Sequence, residues 1–336
     1  MPVLFNIFSS IFLYVFSLQL LLHNVCGLVK TGKGKPAFNL FSSAHNHTED
    51  VQLPKNIELS KLMDNETGYT MLVAGGYRPE KINLIKHVVS IRTSRATAYF
   101  GDNHFCVGSI ISARLVLTAA HCVVDRRKIV TRPHRLVVVA GTPNRLQKTL
   151  TTVELKVEEV LPHNKFVRKG VHDIAILVLA THFPDDNDNV KVIPLANKLV
   201  DPGTVCVIVG WGQLFFRGPY AAVALHANLT VFSYEYCHKF YPHNFHESMI
   251  CAGRKSEWDV DACRGDSGGP MVCDGQVAAI VSWSSRCGEK GKPTVFTSVY
   301  HHRDWINFAS DGETYKALSL IQLLMITFVA LCFLNQ

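Results

Sequence analysis

What this 336-residue sequence lacks already narrows it. No Lys/Arg block is dense enough to track a nucleic-acid backbone, and the net charge of +7 is modest, so nucleic acid is not an expected partner. No His-Glu-x-x-His run and no cysteine pairs at zinc-site spacing occur, so no metal and no other cofactor is expected. Charged residues make up only 18% against 48% hydrophobic, which excludes a chain disordered throughout. No repeating helical pattern runs through the middle of the chain, which argues against a helical bundle.

The two ends lack charge. Val3 to Leu22 is apolar, and Val25-Cys26-Gly27 reads as a cleavage site, making residues 1–27 a secretory signal without the usual positive n-region. An uncleaved signal-anchor helix is the other reading. Residues 28–72 have no cysteine and no sustained periodicity, and read as a flexible pro-segment or stalk. They carry two glycosylation sequons, at Asn46 and Asn65; a third lies at Asn228. The apolar run 317–334 is barely long enough to span a bilayer, and nothing basic follows it. Small residues Ala309-Ser310-Asp311-Gly312 and a short polar spacer precede it, the layout of a GPI-attachment signal. The tail 310–336 thus has three readings: GPI signal, C-terminal membrane helix, or the end of a fully secreted chain.

What is present is concentrated in one string, Asp261-Ala262-Cys263-Arg264-Gly265-Asp266-Ser267-Gly268-Gly269-Pro270. Its glycines permit a tight turn and bring main-chain N–H groups beside Ser267, the requirement for an oxyanion hole. A serine hydroxyl is a weak nucleophile without an adjacent base, so the string calls for a histidine and a buried carboxylate elsewhere. His121 stands in Leu117-Thr118-Ala119-Ala120-His121-Cys122, and Asp173 heads the apolar run His172-Asp173-Ile174-Ala175-Ile176-Leu177. One histidine among 16 proves nothing alone; three motifs in the order His, Asp, Ser form a known triad order.

From Val88 the chain reads as short β-branched runs separated by turns: Val88–Ile91, Ser109–Ile111, Leu115–Leu117, Leu136–Gly141, Ile174–Leu179, Cys206–Gly212 and Val277–Trp283. Only about Tyr300 to Phe308 looks helical, and the neighbouring His301-His302 pair reads as exposed. The acidic stretch Pro184–Asn189 reads as a solvated linker without the Gly and Glu spacing of a calcium loop. The fold class is all-β. Ten cysteines are present; Cys26 and Cys332 fall in the end segments, and the remaining eight suit an oxidising compartment.

From about Val73 to about Phe308 the chain resembles the chymotrypsin/trypsin-like serine proteases (peptidase S1). The resemblance implies two six-stranded antiparallel β-barrels with a C-terminal helix and the triad in the cleft between them. It implies a protease domain over 73–309, with His121 as general base, Asp173 orienting it, Ser267 as nucleophile, and the N–H groups of Gly265 and Ser267 as oxyanion hole. It pairs Cys106 with Cys122, Cys206 with Cys273, Cys237 with Cys251, and Cys263 with Cys287. Protein or peptide substrates, protein inhibitors and a zymogen follow from it, as does a secretory, extracellular location with membrane attachment through the tail as one option.

Two departures stand out. The resemblance places activation at Leu72-Val73, where the new Val73 ammonium would pair with Asp266, yet Leu72 replaces the usual basic residue. It places Asp261 at the base of the specificity pocket, which alone predicts cleavage after Arg or Lys. The walls differ: Ser284 and Thr294 replace glycines, and a β-branched Thr294 is stiff. The expectation is a narrowed pocket with Thr294 beside Asp261. The function read from the sequence is a serine endopeptidase; the alternative is a catalytically silent binding protein on the same scaffold.

Overall fold

The structure is a computed structural model and describes residues 77, 84–256 and 260–311. The signal, the pro-segment, Asn46, Asn65, Leu72, Val73 and the C-terminal tail lie outside the described residues.

Twelve strands form two closed antiparallel barrels. The first takes β1 (Val88–Thr93), β2 (His104–Ile110), β3 (Leu115–Thr118), β4 (Leu136–Ala140), β5 (Val153–Pro162) and β6 (Ala175–Leu179), closed in the order β1-β2-β3-β6-β5-β4. The second takes β7 (Val205–Gly210), β8 (Leu225–Val231), β9 (Met249–Gly253), β10 (Pro270–Cys273), β11 (Gln276–Trp283) and β12 (Thr294–Ser298), closed as β7-β8-β9-β12-β11-β10. Closure leaves no unpaired edge. Each barrel has its own apolar core, around Ile91, Val138 and Leu177 in the first and Leu229, Met271 and Phe296 in the second. A third cluster joins them: Leu117 and Ile176 pack with Val277, Ile280 and Ile306.

Several strands are invisible as β-branched runs. β5 reads Val-Glu-Leu-Lys-Val-Glu-Glu, and its charged residues face solvent while Val157 turns inward. Beyond the C-terminal helical residues 303–311, the described residues include two short helices, Ala120–Val123 and Tyr234–Phe240. The second begins at Ser233, whose hydroxyl accepts the Tyr236 N–H, a cap the sequence does carry. The His301-His302 pair divides, correcting the expectation of an exposed pair. The turn Tyr300–His302 sends His302 inward to 3% exposure, where its Nδ1–H donates to the Ser298 carbonyl (2.7 Å). His172 Nδ1 lies 3.1 Å from His302 Nε2, and burial pushes the His302 pKa down to about 4.

The structure contains the disulfides Cys106–Cys122, Cys206–Cys273, Cys237–Cys251 and Cys263–Cys287. The first crosses from β2 to the helix carrying His121; Cys263 and Cys273 fasten the loop before Ser267 and the strand after it. Asn228 is exposed on β8 and accepts the Tyr77 hydroxyl hydrogen (3.1 Å). No helix among the described residues is long and apolar enough to cross a membrane.

Candidate active site

Three chain ends meet beside the joint between the barrels. β3 runs into the one-turn helix that carries His121. Asp173 sits just before β6, after His172 in a left-handed conformation (φ 60°). Ser267 lies in the turn before β10. That turn is tied to both barrels: the Val107 N–H of β2 donates to the Ser267 carbonyl (2.9 Å), and the Gly268 N–H donates to the Val281 carbonyl of β11 (2.8 Å). Gly268 has φ +78°, and a Cβ there would lie 2.1 Å from Thr118 Oγ1, so no other residue fits without displacing β3.

Asp173 is 1% exposed and fully engaged. Its Oδ1 accepts the His121 backbone N–H (2.8 Å); its Oδ2 accepts from His121 Nδ1 (2.7 Å) and from the Ser282 hydroxyl (2.5 Å). Burial pushes its carboxyl upward, but the His121 charge and these hydrogen bonds outweigh it and hold the pKa below the ordinary value. With Nδ1–H committed to Asp173, His121 Nε2 carries the free lone pair. The Ser267 hydroxyl is not hydrogen-bonded to His121; such contacts often tighten only with substrate present. Cys106 and Cys122 approach His121 closely, but their sulfurs are joined in a disulfide and offer no thiolate to a metal.

The Gly265 and Ser267 N–H groups donate to no acceptor among the described residues, so both are open. Gly265 is held in place by a buried relay. Arg92 Nε–H donates to Ser90 Oγ (2.9 Å), the Ser90 hydroxyl meets His104 Nδ1 (2.9 Å), and His104 Nε2 reaches the Gly265 carbonyl (3.1 Å). A carbonyl can only accept, so His104 carries its proton on Nε2 and accepts from Ser90 at Nδ1. Burial, then the charges of Arg145 and Arg92, push the His104 pKa down to about 3, so the ring is neutral. Next in the turn, Asp266 is 2% exposed and accepts the Gly212 N–H (2.7 Å) and the Cys263 N–H (3.0 Å). A Cβ on Gly210 or Gly212 would come within 2.2 Å of its oxygens, so glycine at both positions makes its cradle. Burial pushes the Asp266 pKa up to about 6, and no cation among the described residues pairs with it.

Beside Ser267 lies a cavity of about 380 Å³ whose wall includes Trp283, Ser284 and Thr294. Asp261 lies beneath it, 4% exposed. Thr294 Oγ1–H donates to its Oδ1 (2.5 Å), which also accepts the Ala262 N–H (2.8 Å), and its Oδ2 accepts the Gly288 N–H (3.2 Å). Burial prevails over these bonds and pushes the pKa up to about 7.

The site therefore brings together His121, Asp173, the Ser267 turn, open N–H groups and the Asp261 cavity. Ser282, Ser90, His104 and Arg92 were not singled out in the sequence. Ser282 had a signal, its place beside Trp283; the relay had none, because its members are far apart in the chain and chemically ordinary.

A closed pair of antiparallel barrels with a His–Asp couple beside a serine turn defines the serine-hydrolase class. Residues 74–306 match the family described as Trypsin, and the chain belongs to that family of serine proteases, hydrolases of peptide bonds. Trypsin-3 of Salmo salar is 30% identical over 236 residues, which are 70% of this chain and 91% of that protein. Serine protease 1 of Homo sapiens is 31% identical over 235 residues, 70% of this chain and 87% of that protein. Among solved structures, neuropsin, a serine protease expressed in the limbic system of mouse brain, aligns with a TM-score of 0.58 at 28% identity, over 67% of this chain and 95% of that one. The family and the disulfides suit the secretory route.

Proposed function

We propose that the chain is a working serine endopeptidase. Ser267 attacks the scissile carbonyl, His121 Nε2 takes its proton and passes it to the leaving amine, and Asp173 holds the imidazole and stabilises its charged form. The Gly265 and Ser267 N–H groups receive the developing oxyanion. The observation that carries this reading is the Asp173 carboxylate, buried and accepting three hydrogen bonds, two of them from His121. A carboxylate buried so deeply stays ionised only with such partners, and the arrangement leaves His121 Nε2 free to act as base.

Residues 1–27 are the signal, 28–72 the pro-segment, 73–309 the protease and 310–336 the hydrophobic tail, removed for a GPI anchor or kept as a membrane helix. Cleavage at Leu72-Val73 supplies the Val73 ammonium that neutralises Asp266 and completes the oxyanion hole; the raised Asp266 pKa fits a carboxylate awaiting a cation. Thr294 and Ser284 narrow the pocket above Asp261, so the site prefers smaller residues or cleaves poorly after Arg or Lys. The silent-scaffold reading draws on Asp261 being sealed by Thr294 and on Leu72 at the activation bond.

Fluorophosphonate labelling of the secreted chain processed to begin at Val73 tests the central claim. Labelling that vanishes in Ser267→Ala is expected. Absent labelling in folded, fully disulfide-bonded protein would leave the silent scaffold standing.

A further inference from the structure

The cavity beside Ser267 is ringed by positive charge that the triad does not use. Arg217, Arg264 and Arg286 all line it, each from a different loop, and all are exposed. Arg264 directly precedes the Gly265-Asp266-Ser267 turn. Arg217 sits at the tip of a hairpin-like loop closed by the Gln213↔Tyr220 bridge. Arg286 lies on the loop between β11 and β12.

Two of the three are held in position. The Arg286 guanidinium lies 4.1 Å from the Phe216 ring centroid, and that of Arg217 lies 5.2 Å from it. Phe216 thus sits between two cations at the mouth of the cavity. Contact with an aromatic face leaves a guanidinium's in-plane N–H fork free for an anion. None of the three arginines forms an ion pair among the described residues.

Among the described residues, negative charge is withheld from the same space. Asp261 does not line the cavity; both its oxygens are occupied by Thr294, Ala262 and Gly288. Among the described residues, no carboxylate lines it. The nearby Glu289 accepts the Ser285 hydroxyl hydrogen (3.0 Å) on its own loop. A concave site with cations at its rim and a covered carboxylate beneath focuses positive potential on whatever peptide reaches Ser267.

We propose that the cleft selects peptide segments bearing Asp or Glu side chains beside the scissile bond, with Arg264 and Arg286 contacting the carboxylates and Arg217 adding to the field. The proposal rests on the cavity being the substrate pocket, and it reverses the preference that Asp261 alone would give. Guanidinium–carboxylate pairing is directional and bidentate, so an amide of the same shape is a poor substitute.

Paired fluorescein-labelled peptides, identical except for Asp/Glu against Asn/Gln flanking the central bond, are titrated by fluorescence anisotropy against the secreted chain processed to begin at Val73 and carrying Ser267→Ala. The acidic member should bind about tenfold tighter near 50 mM salt, with the ratio falling to about threefold or less near 500 mM. Arg264→Gln and Arg286→Gln should each lower the ratio about threefold, and with Arg217→Gln added it should approach one. Equal binding of the pair at low salt, or tighter binding of a Lys/Arg counterpart, overturns the proposal; the salt titration needs no arginine variant to fold. Fluorophosphonate labelling of the unsubstituted chain, likewise processed to begin at Val73, reads catalysis separately. A labelled chain with equal affinities overturns the acidic preference alone, and charge-selective binding without labelling upholds it while removing the enzyme reading.

Discussion

Two regions of the cleft are floored by a buried aspartate, and the two aspartates behave in opposite ways. Asp173, under His121, is 1% exposed; Asp261, under the neighbouring cavity, is 4% exposed. Each accepts three hydrogen bonds. Asp173 is nonetheless held below its ordinary pKa, and Asp261 is pushed up to about 7. The difference lies in the donors. Asp173 faces an imidazole that can carry full positive charge, whereas Asp261 has only two amides and a hydroxyl, with Asp266 adding repulsion. Neutral dipoles reduce the desolvation cost of a buried carboxylate; a cation can reverse it.

Breaking the charged side gives the largest effect. Asp173→Asn should remove the acceptor that fixes the His121 tautomer and lower kcat/KM by about 10⁴-fold with little change in fold, measurable on peptide hydrolysis or as the rate of fluorophosphonate labelling. Opening the neutral side comes next. Thr294→Gly uncovers Asp261, so hydrolysis after Arg or Lys should rise by about tenfold or more relative to hydrolysis after Ala, read as a ratio of kcat/KM values. An unchanged ratio would mean that Thr294 is not what seals the floor.

A smaller effect is expected at Ser282, whose hydroxyl belongs to the charged side. Ser282→Ala should cost about 2 kcal/mol of stability through the lost bond to buried Asp173, seen in denaturant midpoints, along with about a tenfold loss in rate. The effect smallest in rate is one of pH. The folded pKa of Asp261, about 7, lies above the unfolded value of 3.8, so the native state keeps its proton in a range where the unfolded chain has lost it. Its contribution to stability is fully present below about pH 4 and is lost between about pH 4 and 7, at about 1.4 kcal/mol per unit, with no further loss above 7. Asp261→Asn should flatten this part of the stability curve between about pH 4 and 7. Equal slopes for the two proteins would show that Asp261 is ionised throughout.

Much of this was readable in order along the chain. The Ser267 turn depends on Gly265 and Gly268, residues chosen for backbone reasons that leave a local imprint. Each of the seven β-branched runs overlaps a strand, because a pleated surface favours such side chains. β5 escaped notice because its outward face is charged, and Tyr234–Phe240 because a helix this short has little periodicity to show. His302 looked like a surface histidine until a single turn buried it against Ser298 and His172.

The sequence by itself determined the chemistry on offer: a serine in a glycine turn, a histidine and an aspartate in fitting company, and eight cysteines in one segment. Only the tertiary structure decided how that chemistry is biased. Whether a buried aspartate keeps its charge depends on which donors close over it, and those of Asp261 come from Ala262, Gly288 and Thr294 on three separate stretches. Arg217, Arg264 and Arg286 likewise belong to three loops, and only barrel closure brings them to one cavity. Electrostatic interaction depends on distance and burial, and neither is a property of position along the chain.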